Sequence, residues 1–245
     1  MAVIWNGHGG SPENDGERRV VEHLGDKLPD SFYIIPSIDM QRNDGKGSDE
    51  IDALIIAPYG LVVIEVKDYR RTVVFKEHEH LVGSEKRVNP IAINRGKSRR
   101  LAGRIRDFGN GLERVWVTDQ VVLARKPENL HVDPLIRLRV VEFEKMVQRL
   151  SDPEVMLPEH VTYEPFDPEL VLAAIGVYGN RRKPSRRYGN YRTKNLIEEE
   201  PSRRLYHAEH QVTRRMVALQ VNLIDPYLSE TEKERVRSKS IRSFK

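Results

Sequence analysis

The chain has 245 residues, a formal charge of +4, nearly a third of its residues charged, and no cysteine. That length allows one large domain, or a domain of ~150 residues with an appendage. Zero cysteines exclude disulfides, cysteine zinc sites and a thiol nucleophile, so oxygen and nitrogen chemistry remains. No window approaches the ~18 consecutive apolar residues of a membrane helix, and "MAVIWNGHGGSPEND" lacks the layout of a signal peptide, so a cytoplasmic protein without a membrane partner is expected.

Glu13 to Leu28 reads as a helix capped by Ser11 or Asn14, with Val21, Leu24 and Leu28 as its apolar stripe. Glu17 falls in line with that stripe, which places an acid where the helix faces the core. "SFYIIPSI" reads as a strand, and a polar loop leads to two more, "IDALIIAP" and "LVVIEVKDY", with a short turn around Tyr59 and Gly60. "TVVF" would extend this meander. Asn89 and Pro90 open a basic helix, roughly Ile91 to Phe108, which Gly109 and Gly111 close. "RVWVTDQVVLAR" and "IRLRVV" read as strands, and "EFEKMVQRL" starts another helix. An α/β or α+β core follows, with helices flanking a central sheet, over residues 1–150.

Residues 151–195 form a Pro-rich and then basic connection that contains the apolar segment "LVLAAIGVYG". Residues 196–245 are expected to be a helical extension, with an amphipathic helix through Leu205, Ala208, Val212, Met216, Leu219 and Leu223. Ile241 and Phe244 are apolar with nothing after them, which suggests a further domain beyond Lys245. Basic residues cluster in "NRGKSRRLAGRIR" and "RRKPSRRYGNYRTK". Such surfaces fit a polyanion such as nucleic acid, although a solvated helix face would carry the same composition.

Asp52, Glu65 and Lys67 fall on adjacent strands. In an antiparallel pair the numbers of facing residues add to a constant, and a loop of two or four residues makes it odd, 117 or 119. With 117, Asp52 faces Glu65; with 119 it faces Lys67 and is diagonal to Glu65. Either puts all three on one face, whereas a three-residue loop turns Asp52 away. Glu17 would bring a third acid to that face. Facing carboxylates repel, and more so when buried, so three acids with one lysine would recruit a hard divalent cation such as Mg²⁺ or Mn²⁺. The backbone carbonyl of Val66 is a further donor. Such a site suits phosphodiester hydrolysis, with the lysine orienting water or stabilising charge on the phosphate. The plain alternative is a Glu65–Lys67 pair at a strand end.

Glu17 on the first helix, "EIDALIIAPYGLVVIEVKDY" and the later Asn89-Pro90 resemble the NERD (nuclease-related) domain of the PD-(D/E)xK nuclease superfamily, over roughly Gly16 to Phe108. The resemblance implies a restriction-endonuclease-like α/β fold with a central mixed sheet, Asp52 and Glu65 as metal ligands, Lys67 as the catalytic lysine and Glu17 as an accessory acid. After Asn-Pro the family usually places a glutamine. Here Ile93, Asn94 and Lys97 stand nearby; Asn94 can supply the amide and Lys97 a cation for the phosphate. The stretch from "RYGNYRTKNLI" also resembles the segment joining a NERD domain to a protein kinase in bacterial proteins, including those of phage defence, but no kinase motif is present.

The expected function is therefore metal-dependent cleavage of DNA in antiviral defence. Substrate contacts are expected from Asn94, Lys97, Arg99, Arg100, Arg104, Arg181, Arg182, Lys183, Arg186 and Arg187. The alternative is a nucleic-acid-binding or regulatory module attached to a kinase; other defence proteins or a second copy of the chain are further partners to consider. His78 and His80 share a face by strand alternation but lack a third ligand, and His207 and His210 lack a zincin pattern. "GHGGSP" has no strand before it or lysine after it, as a phosphate loop would. Tyr188 and Tyr191 can stack on bases or pack internally.

Overall fold

The computed structural model describes residues 1–5, 12–41, 48–181, 187–188, 190–200, 203–210 and 212–222. It divides into two units, Met1–Arg182 and Lys183–Lys245. The first begins with β1 (Val3–Ile4) and α1 (Asp15–Lys27), then the antiparallel strands β2 (Tyr33–Gln41), β3 (Ser48–Ala57) and β4 (Gly60–Lys67). Three short strands follow, β5 (Val73–Phe75), β6 (His80–Val82) and β7 (Glu85–Arg87), then the long α2 (Pro90–Phe108), β8 (Val117–Leu123) and β9 (Leu130–Val132). A 3-10 turn (Pro134–Arg139) enters β10 (Val140–Glu142), and α3 (Met146–Leu150), α4 (Pro153–Met156), α5 (Pro168–Tyr178) and β11 (Gly179–Arg181) complete the unit.

The central sheet has the order β1-β2-β3-β4-β8-β10, with β11 paired to β2. It is mixed: β2, β3 and β4 are antiparallel neighbours, while β4, β8 and β10 run parallel. Helices cover both faces, which is why β3 and β4 read as nearly unbroken apolar runs. On one face Val20, Val21, Leu24 and Leu28 of α1 pack with Val62, Ile64 and Val66 of β4. Each such side chain contributes roughly 1.5–3 kcal/mol over its exposed state. On the other face Leu101 and Ile105 of α2 and Val171 and Ile175 of α5 meet Leu61 and Val63.

Asn14 caps α1, its side chain accepting from Glu17 N–H at 3.0 Å. Asn89 caps α2 with Pro90 in its first turn, and Gly109 ends that helix at φ 73°. The turn between β3 and β4 is Pro58-Tyr59, with Ala57 opposite Gly60. Gly60 is required there. Its φ is 146°, and a Cβ would lie 2.5 Å from the Trp116 carbonyl oxygen, the acceptor of the Leu61 N–H. Gly60→Ala is expected to destabilise the first unit by about 3 kcal/mol, lowering the thermal midpoint by roughly 6–12 °C in a calorimetric scan.

Several sequence expectations change. "TVVF" forms β5 but not as part of the meander; it joins a separate sheet of order β7-β6-β5-β9. "IRLRVV" is mostly the 3-10 turn, because Pro134 and the Asp133 cap favour a helical start. The first unit does not end near residue 150 but at Arg182, since α5 buries Val171, Leu172, Ala174 and Ile175 and β11 adds to β2. The helix expected through Leu205 to Leu223 is absent. That region holds strands β14 (Arg203–His210) and β15 (Met216–Asn222), in a sheet of order β12-β13-β14-β15 with β12 (Arg187–Tyr188) and β13 (Tyr191–Glu200). Tyr206 and Ala208 are buried with Thr193 opposite Ala208, a period of two. The helical spacing of the apolar residues arose from two strands placed end to end around a turn in which Arg214 has φ 58°. Ser11, Leu223, Ile241 and Phe244 lie outside the described residues. No helix among the described residues is long and apolar enough to cross a membrane.

Candidate active site

The two-residue turn sets the register of β3 against β4. Pairing runs from Ala57 and Gly60 to Ala53 and Ile64, so the next position brings Asp52 opposite Glu65. The ladder stops there. Asp52 Oδ2 instead accepts the Val66 N–H at 2.7 Å. Since the N–H and C=O of one strand residue point to the same side, the Val66 carbonyl also faces the gap where β3 leaves β4.

At this level the register of β2 against β3 holds but the side-chain alternation does not. The pairs Pro36–Ala53 and Ile38–Ile51 put Ser37 opposite Asp52, and Ser37 has φ 51°. On β3, Leu54 and Ile56 face α2 but so does Ile51; on β2, Ile35 and Ile38 share that face across Ser37. Strict alternation therefore breaks in both strands at once. Asp52 sits at the break, where its carboxylate is influenced from both sides of the sheet.

Glu65 is the most tightly held acid. Lys67 Nζ donates to its Oε1 at 2.6 Å and Lys97 Nζ to its Oε2 at 2.5 Å. Burial alone would push the Glu65 carboxyl up, but Lys67 and Lys97 outweigh it and hold the group below its usual value. Burial likewise opposes charge on Lys67, yet Glu65 and Asp52 raise it above the ordinary lysine range. Asp52 behaves oppositely: burial, then the charges of Glu65 and Glu17, push its carboxyl up to about 7. The two carboxyls are thus pushed in opposite directions although they face each other.

Glu17 is buried but does not share the face of Glu65. Helix α1 lies on the side of Val62, Ile64 and Val66, and the Glu17 carboxylate accepts from Glu13 N–H at 2.7 Å and from Asn14 Nδ2 at 2.6 Å. This is a capping arrangement for its own helix, which the stripe position alone did not reveal. Its charge still acts on Asp52.

The basic residues of α2 separate by helix face. Asn94 is fully buried and its amide bridges the Val63 and Gln120 carbonyls at 2.9 and 3.2 Å, tying β4 to β8 instead of reaching a substrate. Lys97 goes to Glu65, Arg100 forms a two-pronged pair with buried Asp49, and Arg104 is buried. Arg99 is exposed. Arg182, Lys183 and Arg186 lie outside the described residues, as do the side chains of Arg181 and Arg187. The two histidines diverge: His78 is exposed, whereas His80 is buried, stacks on Phe75 at 4.7 Å and uses Nδ1 on the Val88 carbonyl at 3.1 Å. Tyr191 contacts the His210 ring edge-on at 4.9 Å, an internal contact. The partnership of Lys97 with Glu65 was not anticipated. Its signal was available, because Lys97 lies on one stripe with Asn94, Leu101 and Arg104, as Glu17 does on α1.

The donor set suits a hard divalent cation: the Asp52 and Glu65 carboxylates and the Val66 carbonyl supply oxygen, with no sulfur or imidazole among them. Among the described residues no three His, Asp or Glu side chains form a metal cluster by themselves, so the backbone oxygen and solvent would complete the shell.

Residues 12–124 match the family model described as NERD, nuclease-related domain. Over 116 residues the chain is 31% identical to "Probable kinase PglW" of Streptomyces coelicolor, an alignment that covers 44% of this chain and 7% of that protein. No solved structure matches. The mixed sheet with helices on both faces, the facing acids at the strand fork and the family match agree: residues 12–124 are a nuclease-related (NERD) domain with a PD-(D/E)xK-like fold.

Proposed function

We propose that this domain hydrolyses DNA phosphodiester bonds with the help of Mg²⁺ or Mn²⁺. The observation that carries the reading is the fork between β3 and β4, where Asp52 and Glu65 face each other beside Lys67. Asp52, Glu65 and the Val66 carbonyl would hold the cation, which would supply polarisation of a phosphoryl oxygen and a more acidic water. Lys67 stays protonated between two acids, so it acts as a hydrogen-bond donor and positive charge toward the phosphate, not as a base. Lys97 holds the other Glu65 oxygen and keeps the carboxylate oriented while Lys67 turns to substrate. Glu17 acts by its field on Asp52, as an accessory acid.

The purified chain is expected to nick supercoiled plasmid in Mg²⁺ or Mn²⁺ but not in EDTA, and Glu65→Ala to remove the activity while the melting curve stays cooperative. Equal nicking by wild type and Glu65→Ala would assign the cleavage elsewhere.

A second reading is a domain that binds nucleic acid and regulates an attached kinase. What favours it is that both Glu65 oxygens already hold lysines and that Glu17 is engaged in its own helix cap. The name of the Streptomyces relative supports kinase association. Salt-sensitive DNA binding in EDTA, with no cleavage under either metal, would favour this reading.

A further inference from the structure

The β10 edge of the central sheet carries a feature that chemistry at Glu65 does not use. The 3-10 turn Pro134–Arg139 leaves Leu135 81% and Leu138 61% exposed, while Ile136 is buried with Val121, Leu123 and Val140. At three residues per turn, positions 135 and 138 eclipse, so the two leucines form one ridge. The ridge is braced. Asp133 accepts the Leu135 N–H at 3.0 Å, and Arg149 Nη1 donates to the Leu138 carbonyl at 3.1 Å and the Arg137 carbonyl at 3.4 Å. A single exposed leucine is ordinary, but a rigidly presented pair marks a contact surface.

Its surroundings are basic. Arg139 Nη1 donates to buried Asp119 at 2.5 Å, and Arg95 and Arg99 of α2 bring positive charge to the same carboxylate. Arg99 and Arg137 have exposed side chains. Arg95, Arg99, Arg137 and Arg139 outnumber the carboxylates of Asp119 and Asp133 beside them, so the rim carries surplus positive charge. Arginine suits phosphate by its planar fork, and an apolar wedge suits a base step that can be unstacked.

We propose that the Leu135–Leu138 ridge, with Arg95, Arg99, Arg137 and Arg139, is a DNA-docking edge in which phosphates take the arginines and the leucines press between base pairs from the minor groove. The choice of DNA rests on the nuclease reading above. Helix α2 joins the two sites, because it carries Lys97 to Glu65 with Arg95 and Arg99 two residues to either side. A phosphate held at those arginines is thereby tied to the carboxylate pair through one rigid element.

The test uses the whole chain in EDTA with a short DNA duplex carrying 2-aminopurine. Wild type should bind and brighten the probe by unstacking it. Leu135→Ala/Leu138→Ala should weaken binding about tenfold and remove the brightening, with the salt dependence unchanged. Arg99→Ala/Arg137→Ala should reduce the slope of log K against log salt by about 2, the value for two lost phosphate contacts. All four side chains are exposed, so melting midpoints should match wild type. Equal binding and brightening in wild type and both variants overturns the proposal, as does a wild type that does not bind. A leucine variant that changes only the sedimentation mass assigns the ridge to protein contact and overturns it too. Docking without cleavage in any metal overturns only the nuclease reading, whereas full cleavage and binding by both variants overturns only the docking edge.

Discussion

Lys67→Ala lowers divalent-dependent cleavage by about 10³-fold or more while the affinity for DNA stays within a few-fold of wild type. The ammonium lies 2.6 Å from Glu65 Oε1 and remains charged because Glu65 and Asp52 outweigh its burial. It is the positive charge nearest the strand fork that can turn outward, since its side chain is 29% exposed against 9% for Lys97. Removing it withdraws stabilisation that grows as charge builds on the phosphate, and Lys97 cannot substitute without releasing Glu65. Single-turnover cleavage of labelled duplex, with binding measured separately in Ca²⁺, separates the two effects. Cleavage within tenfold of wild type would deny Lys67 its role in the reaction.

Asp52→Asn is expected to stabilise the metal-free protein at pH 8 and to abolish stabilisation by Mn²⁺. The Asp52 carboxyl is raised to about 7 from an ordinary value of 3.8, so the folded chain holds this proton more tightly than the unfolded chain. That contribution to stability is fully present below about pH 4 and is lost as pH rises through 7. A shift of this size corresponds to about 4 kcal/mol as an upper bound, which the mutual influence of Asp52 and Glu65 reduces to roughly 2 kcal/mol. Asparagine can still accept the Val66 N–H but carries no charge. Its melting midpoint in EDTA at pH 8 should exceed wild type by about 4–8 °C, and the difference should close toward pH 4.5. Glu65 works in the other direction, since its depressed carboxyl contributes stability above its unfolded value that fades as pH falls through the lower folded one. Wild type should gain stability from Mn²⁺ at pH 8, and the variant should not. A variant that melts below wild type at pH 8, or still responds to Mn²⁺, would separate Asp52 from the cation site.

The central hairpin could be read closely because its signals are local. A two-residue turn at Pro58-Tyr59 fixes parity, and parity puts Asp52 against Glu65. Glu17 on an apolar stripe was visible as a buried acid, but not its capping partners, which depend on how the chain enters α1. The change of face at Ser37 and Asp52 was hidden, because apolar residues occur at both parities in β2 and β3 and mask it. The second unit misled for a general reason. Two short strands around a turn can reproduce a spacing of three and four, and only the pairing with β13 decides between them. Arg100 and Arg104 looked like substrate contacts by type alone, whereas their place on α2 turns one to Asp49 and buries the other.

The paired break of alternation in β2 and β3 also governs which changes in chain length the hairpin can absorb. Ile38 and Met40 face the same layer as Ile35 only because one position is consumed at Ser37, and Ile51 is matched to Leu54 in the same way at Asp52. A residue deleted at Ser37 would restore plain alternation in β2 alone, so Ile38 and Met40 would keep their face but fall one position out of step with β3. Extra residues between Gln41 and Ser48 would leave every pair from Gln41 to Tyr33 intact. The hairpin can therefore lengthen at its tip while the spacing between Asp52 and Glu65 is locked from within, so the tip is the part of this sheet free to diverge.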